Sequence, residues 1–211
     1  MAAVSPRIDA VAALAHGATP VVRRVRPGDA AMIDAFVQRL SPASRRRRFH
    51  GAIRALPAEW LERMTHPDAQ RELALVATVV LDGAEHCIGE ARYVVADDPR
   101  ERGVALVPDD SGEREFALVV SDGWQGCGIG RSMLRQLDRH AARHGVQRLY
   151  GDVLRDNLPM IELARSLDFS VGRHPTEARL VRVQRVLHRS AVPSALQGPS
   201  LAGPHSRVHF I

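Results

Sequence analysis

The sequence contains no lysine, and all 29 of its basic residues are arginine. Cysteine is also scarce, since Cys87 and Cys127 are the only two, which excludes the disulfide framework of small secreted proteins. No apolar run approaches the roughly 18 residues of a membrane span. The apolar stretch 11–15 is short, and Asp9 interrupts the approach to it, which disfavours a signal peptide. These absences predict a cytoplasmic protein with no membrane partner.

Aromatic residues are few, at 4% of the chain, and the arginines are spread along the sequence rather than grouped with aromatics. This pattern disfavours nucleic acid as a partner, although a formal charge of +5 suits an anionic ligand. Apolar residues make up 45% of the 211 positions, enough for one buried core. The sequence predicts one folded domain at 20–188, between a flexible leader at 1–19 and a flexible tail at 189–211.

A strand-like segment runs into a glycine-rich loop and then into a helical pattern, all within residues 115–137. Phe116 to Val120 is apolar and rich in valine, and turn-forming residues follow it, which predicts a β-strand. Gly126, Gly128 and Gly130 come next at alternate positions. Apolar residues then recur at helical spacing with arginines between them, which predicts an amphipathic helix. The glycines therefore lie where a strand gives way to a helix.

This junction has the properties of a phosphate-binding site. The first N–H groups of a helix have no internal partner, and the helix dipole adds positive charge there. A Walker A loop is excluded because Ile129, and not a lysine, follows Gly128. A Rossmann fingerprint has the spacing G-x-G-x-x-G, whereas this loop reads G-x-G-x-G, although Asp152 lies where that motif places its acidic residue. A plain corner between strand and helix, with no ligand, is the alternative.

The loop and the residues after it resemble the GNAT superfamily of acyl-CoA N-acetyltransferases. The matching residues are Gln125-x-x-Gly128-x-Gly130, the predicted strand 148–154, the helix start Asn157-x-x-Met160-x-x-Leu163, and Leu167-Asp168-Phe169, where the superfamily usually has Leu-Gly-Phe. A second segment, Arg26 to Gly51, resembles the start of the acetyltransferase domain in bacterial protein-lysine acetyltransferases.

The resemblance implies the α/β GNAT fold, in which helices flank a mixed, mostly antiparallel sheet of about seven strands with one central parallel β-α-β crossover. The predicted order of elements is β-α-α-α-β-β-β-α-β-α-β-β. A Rossmann sheet would instead alternate strand and helix throughout. Residues 72–81 and 86–95 are predicted to form a hairpin closed by the four-residue turn 82–85.

The resemblance also implies an enzyme that uses acetyl-CoA as cosubstrate and transfers the acetyl group directly to an amine. The backbone of Leu118, Val119 and Val120 would hold the acetyl and pantetheine arm, and Asn157 would contact the arm from the other side. The pyrophosphate would lie against Gln125, Gly126, Cys127, Gly128, Ile129, Gly130 and Arg131.

A lysine amine has a pKa of about 10.4 and must lose a proton before attack. The resemblance to protein-lysine acetyltransferases, which have a glutamate at this place in the strand for that task, implies that Glu115 is the general base. Glu72 and Glu90 are weaker candidates, and an ion pair of Glu115 with an arginine is the structural alternative. A protein lysine is slightly favoured as acceptor over a protein N-terminus or a small amine. Without lysine, the chain cannot acetylate its own side chains.

Three features leave alternatives open. The superfamily often has a tyrosine general acid at the position of Ala164. A catalytically silent acyl-CoA-binding module is therefore the alternative function. No sequence pattern puts Tyr93 or Tyr150 at the site in its stead. The run Arg45–Arg48 is either a solvated helix face or a contact with a CoA phosphate or an acidic acceptor.

His140 and His144 have a metal-compatible spacing without an evident third ligand, so no metal is predicted. The sequence is compatible with a homodimer.

Overall fold

The computed structural model describes residues 17–51, 53, 55–95 and 112–187. The predicted tail and most of the predicted leader lie outside these residues. The elements, in chain order, are β1 (Val21–Arg24), α1 (Ala30–Arg39), α2 (Pro42–Phe49), α3 (Ala58–Thr65), β2 (Leu73–Leu81), β3 (Ala84–Val95), β4 (Glu113–Val120), α4 (Ile129–Arg143), β5 (Arg148–Leu154), α5 (Leu158–Arg165), β6 (Ser170–Arg173) and β7 (Leu180–Val186). The predicted order of helices and strands is confirmed.

The seven strands form one open sheet in the order β1-β2-β3-β4-β5-β7-β6. Every neighbouring pair is antiparallel except β4 and β5, which are parallel and are connected through α4. The prediction of a mostly antiparallel sheet with one parallel crossover is therefore confirmed. The parallel pair lies in the middle of the sheet, so any feature that it creates is supported by strands on both sides.

The hairpin of β2 and β3 is tighter than the sequence suggested. The strands pair as far as Leu81 and Ala84, so the turn contains only Asp82 and Gly83, and the prediction of a four-residue turn is wrong. Both turn residues have positive φ, 49° for Asp82 and 76° for Gly83. An Asp-Gly pair adopts this conformation readily, and a two-residue turn of this kind matches the twist of the strands that it joins.

Helices cover both faces of the sheet because each helix has one apolar stripe to bury. On one face, α4 and α5 pack through residues such as Met133, Leu137 and Ile161. On the other face, α1 and α3 pack through residues such as Phe36 and Met64. Within the described residues, no helix combines the length and apolar composition needed to cross a bilayer.

The parallel strands β4 and β5 separate before they end. Their pairing begins at Glu113 with Arg148 and stops at Glu115 with Tyr150, although β4 continues to Val120 and β5 to Leu154. At the closed end, Phe116 lies so near the backbone of β5 that a Cβ on Gly151 would be 3.0 Å from its ring. The sheet therefore opens as a wedge towards the carboxyl ends of both strands.

Candidate functional site

A cavity of about 490 Å³ lies at the open end of the wedge. Its walls come from α2, from the end of β4, from the loop and first turn of α4, and from α5. The residues that line it are Ser44, Arg47, Arg48, Leu118, Val119, Val120, Trp124, Gln125, Gly126, Gly128, Gly130, Arg131, Asn157, Pro159, Met160, Glu162, Leu163 and Ser166. A volume of this size is typical of a small-molecule site.

Glycine is required at the loop positions for two different structural reasons. Gly126 and Gly128 both have φ of +80°, and a Cβ on either would meet nothing within 4 Å, so these positions need glycine for its backbone conformation. Gly130 is in the first turn of α4, and its Cβ would lie 3.3 Å from Leu163 and 3.5 Å from Leu118. Glycine at this position lets α4 approach α5 and β4 closely, which brings the start of the helix to the cavity.

The N-terminus of α4 is open. Gly128 is its N-cap residue and provides no side-chain cap, and the first backbone bond of the helix runs from the Ser132 N–H to the Gly128 carbonyl. Within the described part of the chain, the backbone N–H groups of residues 126–131 donate no hydrogen bond to another protein group. These donors and the helix dipole favour an anion at this end of the cavity.

Two serines at the start of α2 hold the loop in place through Asp122. The Asp122 carboxylate accepts hydrogen bonds from the Ser41 N–H (2.9 Å), the Ser41 hydroxyl (2.6 Å) and the Ser44 hydroxyl (2.8 Å). Burial alone would raise the pKa of Asp122, but the hydrogen bonds from Ser41 and Ser44 outweigh it, so the pKa lies below its usual value. The Gln125 amide donates to the Val120 carbonyl (3.1 Å) and to Ser44 (3.3 Å). The loop is therefore tied to α2 and to β4.

Trp124 lines the cavity and also has a buried hydrogen-bond donor. The side chain is fully buried, and its indole N–H has no hydrogen-bond partner among the described residues. A buried donor left without a partner costs about 1–3 kcal/mol. The N–H belongs to a residue that lines the cavity, so a carbonyl of a ligand or a water molecule in the cavity can accept from it. This observation fits a ligand with amide groups.

Asn157 lies across the cavity from the glycine loop, at the N-terminus of α5. Its backbone carbonyl accepts from the Met160 and Ile161 N–H groups, but its side-chain amide makes no hydrogen bond to a described residue. The amide is therefore available to a ligand that passes between α4 and α5.

The structure brings the predicted binding residues together around the cavity, except that two of them do not line it. Cys127 is exposed and does not line the cavity, and Ile129 is buried in the core, so only its backbone N–H faces the helix mouth. The residues that do line the cavity are Leu118, Val119, Val120, Gln125, Gly126, Gly128, Gly130, Arg131 and Asn157.

Glu115 is at the closed end of the wedge, opposite Tyr150, and is not among the residues that line the cavity. Strand alternation puts it on the same face of the sheet as Val119. Burial, together with the neighbouring Glu115 charge, raises the pKa of Tyr150 to about 12. The Arg182 guanidinium lies 4.4 Å above the Tyr150 ring, and Asp152 holds it with two hydrogen bonds of 2.9 and 2.8 Å.

The two weaker candidate bases have other surroundings. Glu90 is fully buried and contacts Arg48 at 3.0 Å and Arg92 at 2.6 Å. Burial would raise the pKa of Glu90, but these two guanidinium groups outweigh it and hold the pKa below its usual value. Glu72 precedes β2 and lines a different surface cleft near Arg24 and Val25. Neither carboxylate faces the cavity as an available base.

The remaining candidates are also located by the structure. Ala164 is fully buried in the core. Tyr93 packs on the α4 side of the sheet and contacts His140 Nδ1 at 2.6 Å. The His140 and His144 rings stack with centroids 3.8 Å apart, and no group of three His, Cys, Asp or Glu side chains in the described residues could hold a metal ion.

Sequence reasoning did not identify Trp124 as a cavity residue and gave Ser44 no role at the glycine loop, whereas it included Arg47 in the run Arg45–Arg48, for which contact with a CoA phosphate was one alternative. For Ser44 the sequence did contain a signal, because Ser41-Pro42-x-Ser44 is typical of a helix start. The Ser41 hydroxyl caps the helix by accepting a hydrogen bond from the Ser44 backbone N–H. For Trp124 no local pattern indicates a cavity, since its position depends on contacts between distant segments.

Comparisons with known proteins agree with this geometry. Residues 43–169 match the acetyltransferase (GNAT) family. Acetyltransferase PA5475 of Pseudomonas aeruginosa is 29% identical over 182 residues, which cover 86% of this chain and 89% of that protein. The solved GNAT domain of S. lividans PAT is 25% identical, with a TM-score of 0.67, and the match covers 82% of this chain and 98% of that one. The structure of yncA from Salmonella typhimurium with its cofactor acetyl-CoA is 20% identical, with a TM-score of 0.60 over 84% of this chain and 99% of that one, which shows a shared fold.

Proposed function

The chain belongs to the acetyltransferase (GNAT) family, and we propose that it transfers an acetyl group from acetyl-CoA directly to an amine, with a protein lysine as the favoured acceptor. Family membership makes the protein an acyltransferase with acetyl-CoA as cosubstrate. The acceptor and the roles of individual residues are the parts that we propose.

One observation carries the proposal: the wedge between β4 and β5 opens directly onto the uncapped N-terminus of α4. An elongated molecule with a diphosphate at one point and a narrow arm beyond it fits this arrangement. The diphosphate would lie against the amides of residues 126–131. The arm would run between α4 and α5, past Asn157 and along the backbone of Leu118 to Val120.

Transfer requires a neutral amine next to the thioester carbonyl. The amine nitrogen attacks the carbonyl carbon, the C–N bond forms, the C–S bond breaks, and the thiolate of CoA takes up a proton. We propose that Glu115 accepts the proton from the amine, directly or through water, because it lies where the wedge closes. We propose Tyr150 as the proton donor, because it pairs with Glu115 and its raised pKa keeps it protonated at neutral pH, whereas Tyr93 contacts His140.

One similarity supports a protein lysine as acceptor. The segment from Arg26 to Gly51 resembles the corresponding part of bacterial protein-lysine acetyltransferases. A protein N-terminus and a small amine are the competing acceptors. Initial rates with a lysine-containing protein, an N-terminal peptide and a small polyamine, each at equal amine concentration, would rank the three classes.

The substitution Glu115→Gln tests the catalytic assignment. It removes the proton acceptor but keeps the size of the side chain, so we expect kcat to fall by roughly a hundredfold or more, while the Kd for CoA measured by calorimetry stays unchanged. Glu59→Gln, on α3, is the matched control and should leave both values unchanged. An unchanged kcat at saturating acceptor would remove Glu115 from the mechanism.

A silent acyl-CoA-binding module is the second candidate, because the position where the family often has a tyrosine acid is the buried Ala164. This alternative predicts CoA binding without turnover on any amine. Tyr150→Phe distinguishes the cases further, since loss of the proton donor lowers kcat in an active enzyme and changes nothing in a silent module. We also propose a cytoplasmic location, which suits two free cysteines, one of them exposed.

A further inference from the structure

The arginine run on α2 separates into residues with different surroundings. Arg46 forms an ion pair with Asp156, in the connection between β5 and α5. Arg48 donates to Glu90 through Nε (3.2 Å) and Nη2 (3.0 Å), and its guanidinium lies 5.0 Å from the Phe49 ring centroid. Between them, Arg47 lines the cavity and makes no hydrogen bond or ion pair with any described residue. Its charge is therefore available to a ligand.

The attachment of α2 brings Arg47 close to the glycine loop. Ser44 accepts a hydrogen bond from Gln125, the first residue of the glycine motif. Arg47 is three residues after Ser44, which puts both on the same face of the helix. Side chains of a helix lean towards its N-terminus, so we expect the Arg47 side chain, which lines the cavity, to extend back over the turn of Ser44 towards the loop.

The charges of the cavity call for an anion between these walls. One wall has the open amides and positive dipole end of α4, together with Arg131. The other wall has Arg47, and among the described lining residues Glu162 is the one acid. Two positive walls repel each other unless an anion lies between them, and a diphosphate supplies two negative charges at that point.

We propose that Arg47 binds the diphosphate of the cosubstrate from α2, opposite the backbone amides of the glycine loop. The inference rests on the proposed use of acetyl-CoA and adds a charged side chain from a second element to the phosphate site. The position of Arg46 and Arg48 supports it, because their ion pairs to the β5–α5 connection and to β3 fix the helix on both sides of Arg47.

Calorimetry with Arg47→Gln tests this role. Hydrogen bonds to charged groups are among the stronger ones in proteins, so we expect the Kd for CoA to rise roughly tenfold or more. The Kd for 3′-dephospho-CoA should rise by the same factor, since that ligand keeps the diphosphate. With S-acetylpantetheine, which has no phosphate, the transfer rate of the variant should equal that of the wild type. Arg143→Gln, near the other end of α4, removes the same charge and should bind CoA like the wild type.

Each alternative has its own outcome. An unchanged Kd for CoA overturns the proposal, and if the KM for the amine then rises, Arg47 recognises the acceptor instead. Loss of the effect with 3′-dephospho-CoA overturns the diphosphate assignment in favour of the 3′-phosphate. A wild-type protein that binds no CoA overturns the proposed function, and this inference with it. Equal unfolding temperatures of Arg47→Gln and wild type without ligand exclude a folding defect as the cause.

Discussion

The two ends of α4 differ in whether their polar groups have hydrogen-bond partners in the protein. At the C-terminus, the His144 N–H donates to the His140 carbonyl at 3.1 Å, and the Val146 N–H donates to the Ala141 carbonyl at 3.1 Å. His140 also contacts Arg24 at 2.7 Å and Tyr93 at 2.6 Å, which ties this end to β1 and β3. At the N-terminus, neither a side chain nor another backbone group of the described residues caps the helix.

This difference indicates which contacts hold α4 in place. The apolar stripe through Met133, Leu134 and Leu137 is fully buried, and the C-terminal contacts hold the helix against the sheet. The N-terminus is therefore not needed to hold the helix in place. Its backbone donors can therefore remain open for a ligand.

Closing the open end should have the largest effect. Gly128→Asp introduces a carboxylate at the N-cap, and Asp tolerates positive φ better than most residues. Its charge would lie next to the site of the diphosphate, where repulsion at about 4 Å is strong, so we expect the Kd for CoA to rise roughly a hundredfold. Isothermal titration calorimetry measures this change.

Gly145→Asp is the matched control, because Gly145 lies just beyond the other end of the same helix and has a similar φ of +74°. It should bind CoA with the wild-type Kd. If both variants lose CoA equally, the contrast between the two ends is not the cause of binding, and a general effect of the added charge is responsible.

A smaller effect is expected at the C-terminal end, in the pH dependence of stability. Burial, with the charges of His144, Arg24 and Arg143, lowers the pKa of His140 from 6.5 to about 4. The unfolded chain takes up a proton near pH 6.5, whereas the folded protein does so only near pH 4. The contribution of His140 to the stability of the fold is therefore fully present above pH 6.5, and it is lost progressively as the pH falls towards 4.

Denaturant unfolding of His140→Gln at several pH values between 6.5 and 5 measures the contribution of His140. The glutamine oxygen can still accept from Arg24, so the variant should unfold with a flatter pH dependence than the wild type. His144→Gln, in which the neighbouring ring is removed, should retain most of the wild-type slope. Equal slopes in His140→Gln and wild type would show that the pKa of His140 is the same in the folded and unfolded protein.

The sequence predicts the order of elements and the open end of α4 because the signals there are local. Alternating glycines after a valine-rich strand, and apolar residues at helical spacing, need no information from distant segments. The sequence pattern places Ala84 and Glu85 in the turn after Asp82 and Gly83, whereas both pair with β2, because strand pairing outweighs the weak strand preference of these two residues.

Features that depend on distant contacts could not be predicted. The wedge begins at Glu115 and Tyr150, but neither strand has a residue that marks where pairing must stop. The arginines of α2 look equivalent in sequence, and only Asp156 and Glu90, far along the chain, distinguish Arg46 and Arg48 from Arg47.

The smallest expected change is a spectral one, at Trp124. The buried indole N–H has no protein acceptor among the described residues, so a ligand with amide carbonyls in the cavity should accept from it and move its ¹⁵N-detected NMR signal downfield. The chain has two tryptophans, and Trp60→Phe assigns the signals because Trp60 is on α3 and partly exposed.

Saturating CoA should shift the Trp124 signal and leave that of Trp60 in place, whereas NAD should shift neither. ADP reproduces the diphosphate but not the arm, so a shift with CoA and none with ADP would assign the acceptor to the pantetheine. If calorimetry shows CoA binding and the Trp124 signal does not move, the indole N–H donates to an internal water and not to the ligand. The donors that the cavity offers to CoA are then the backbone amides of the glycine loop.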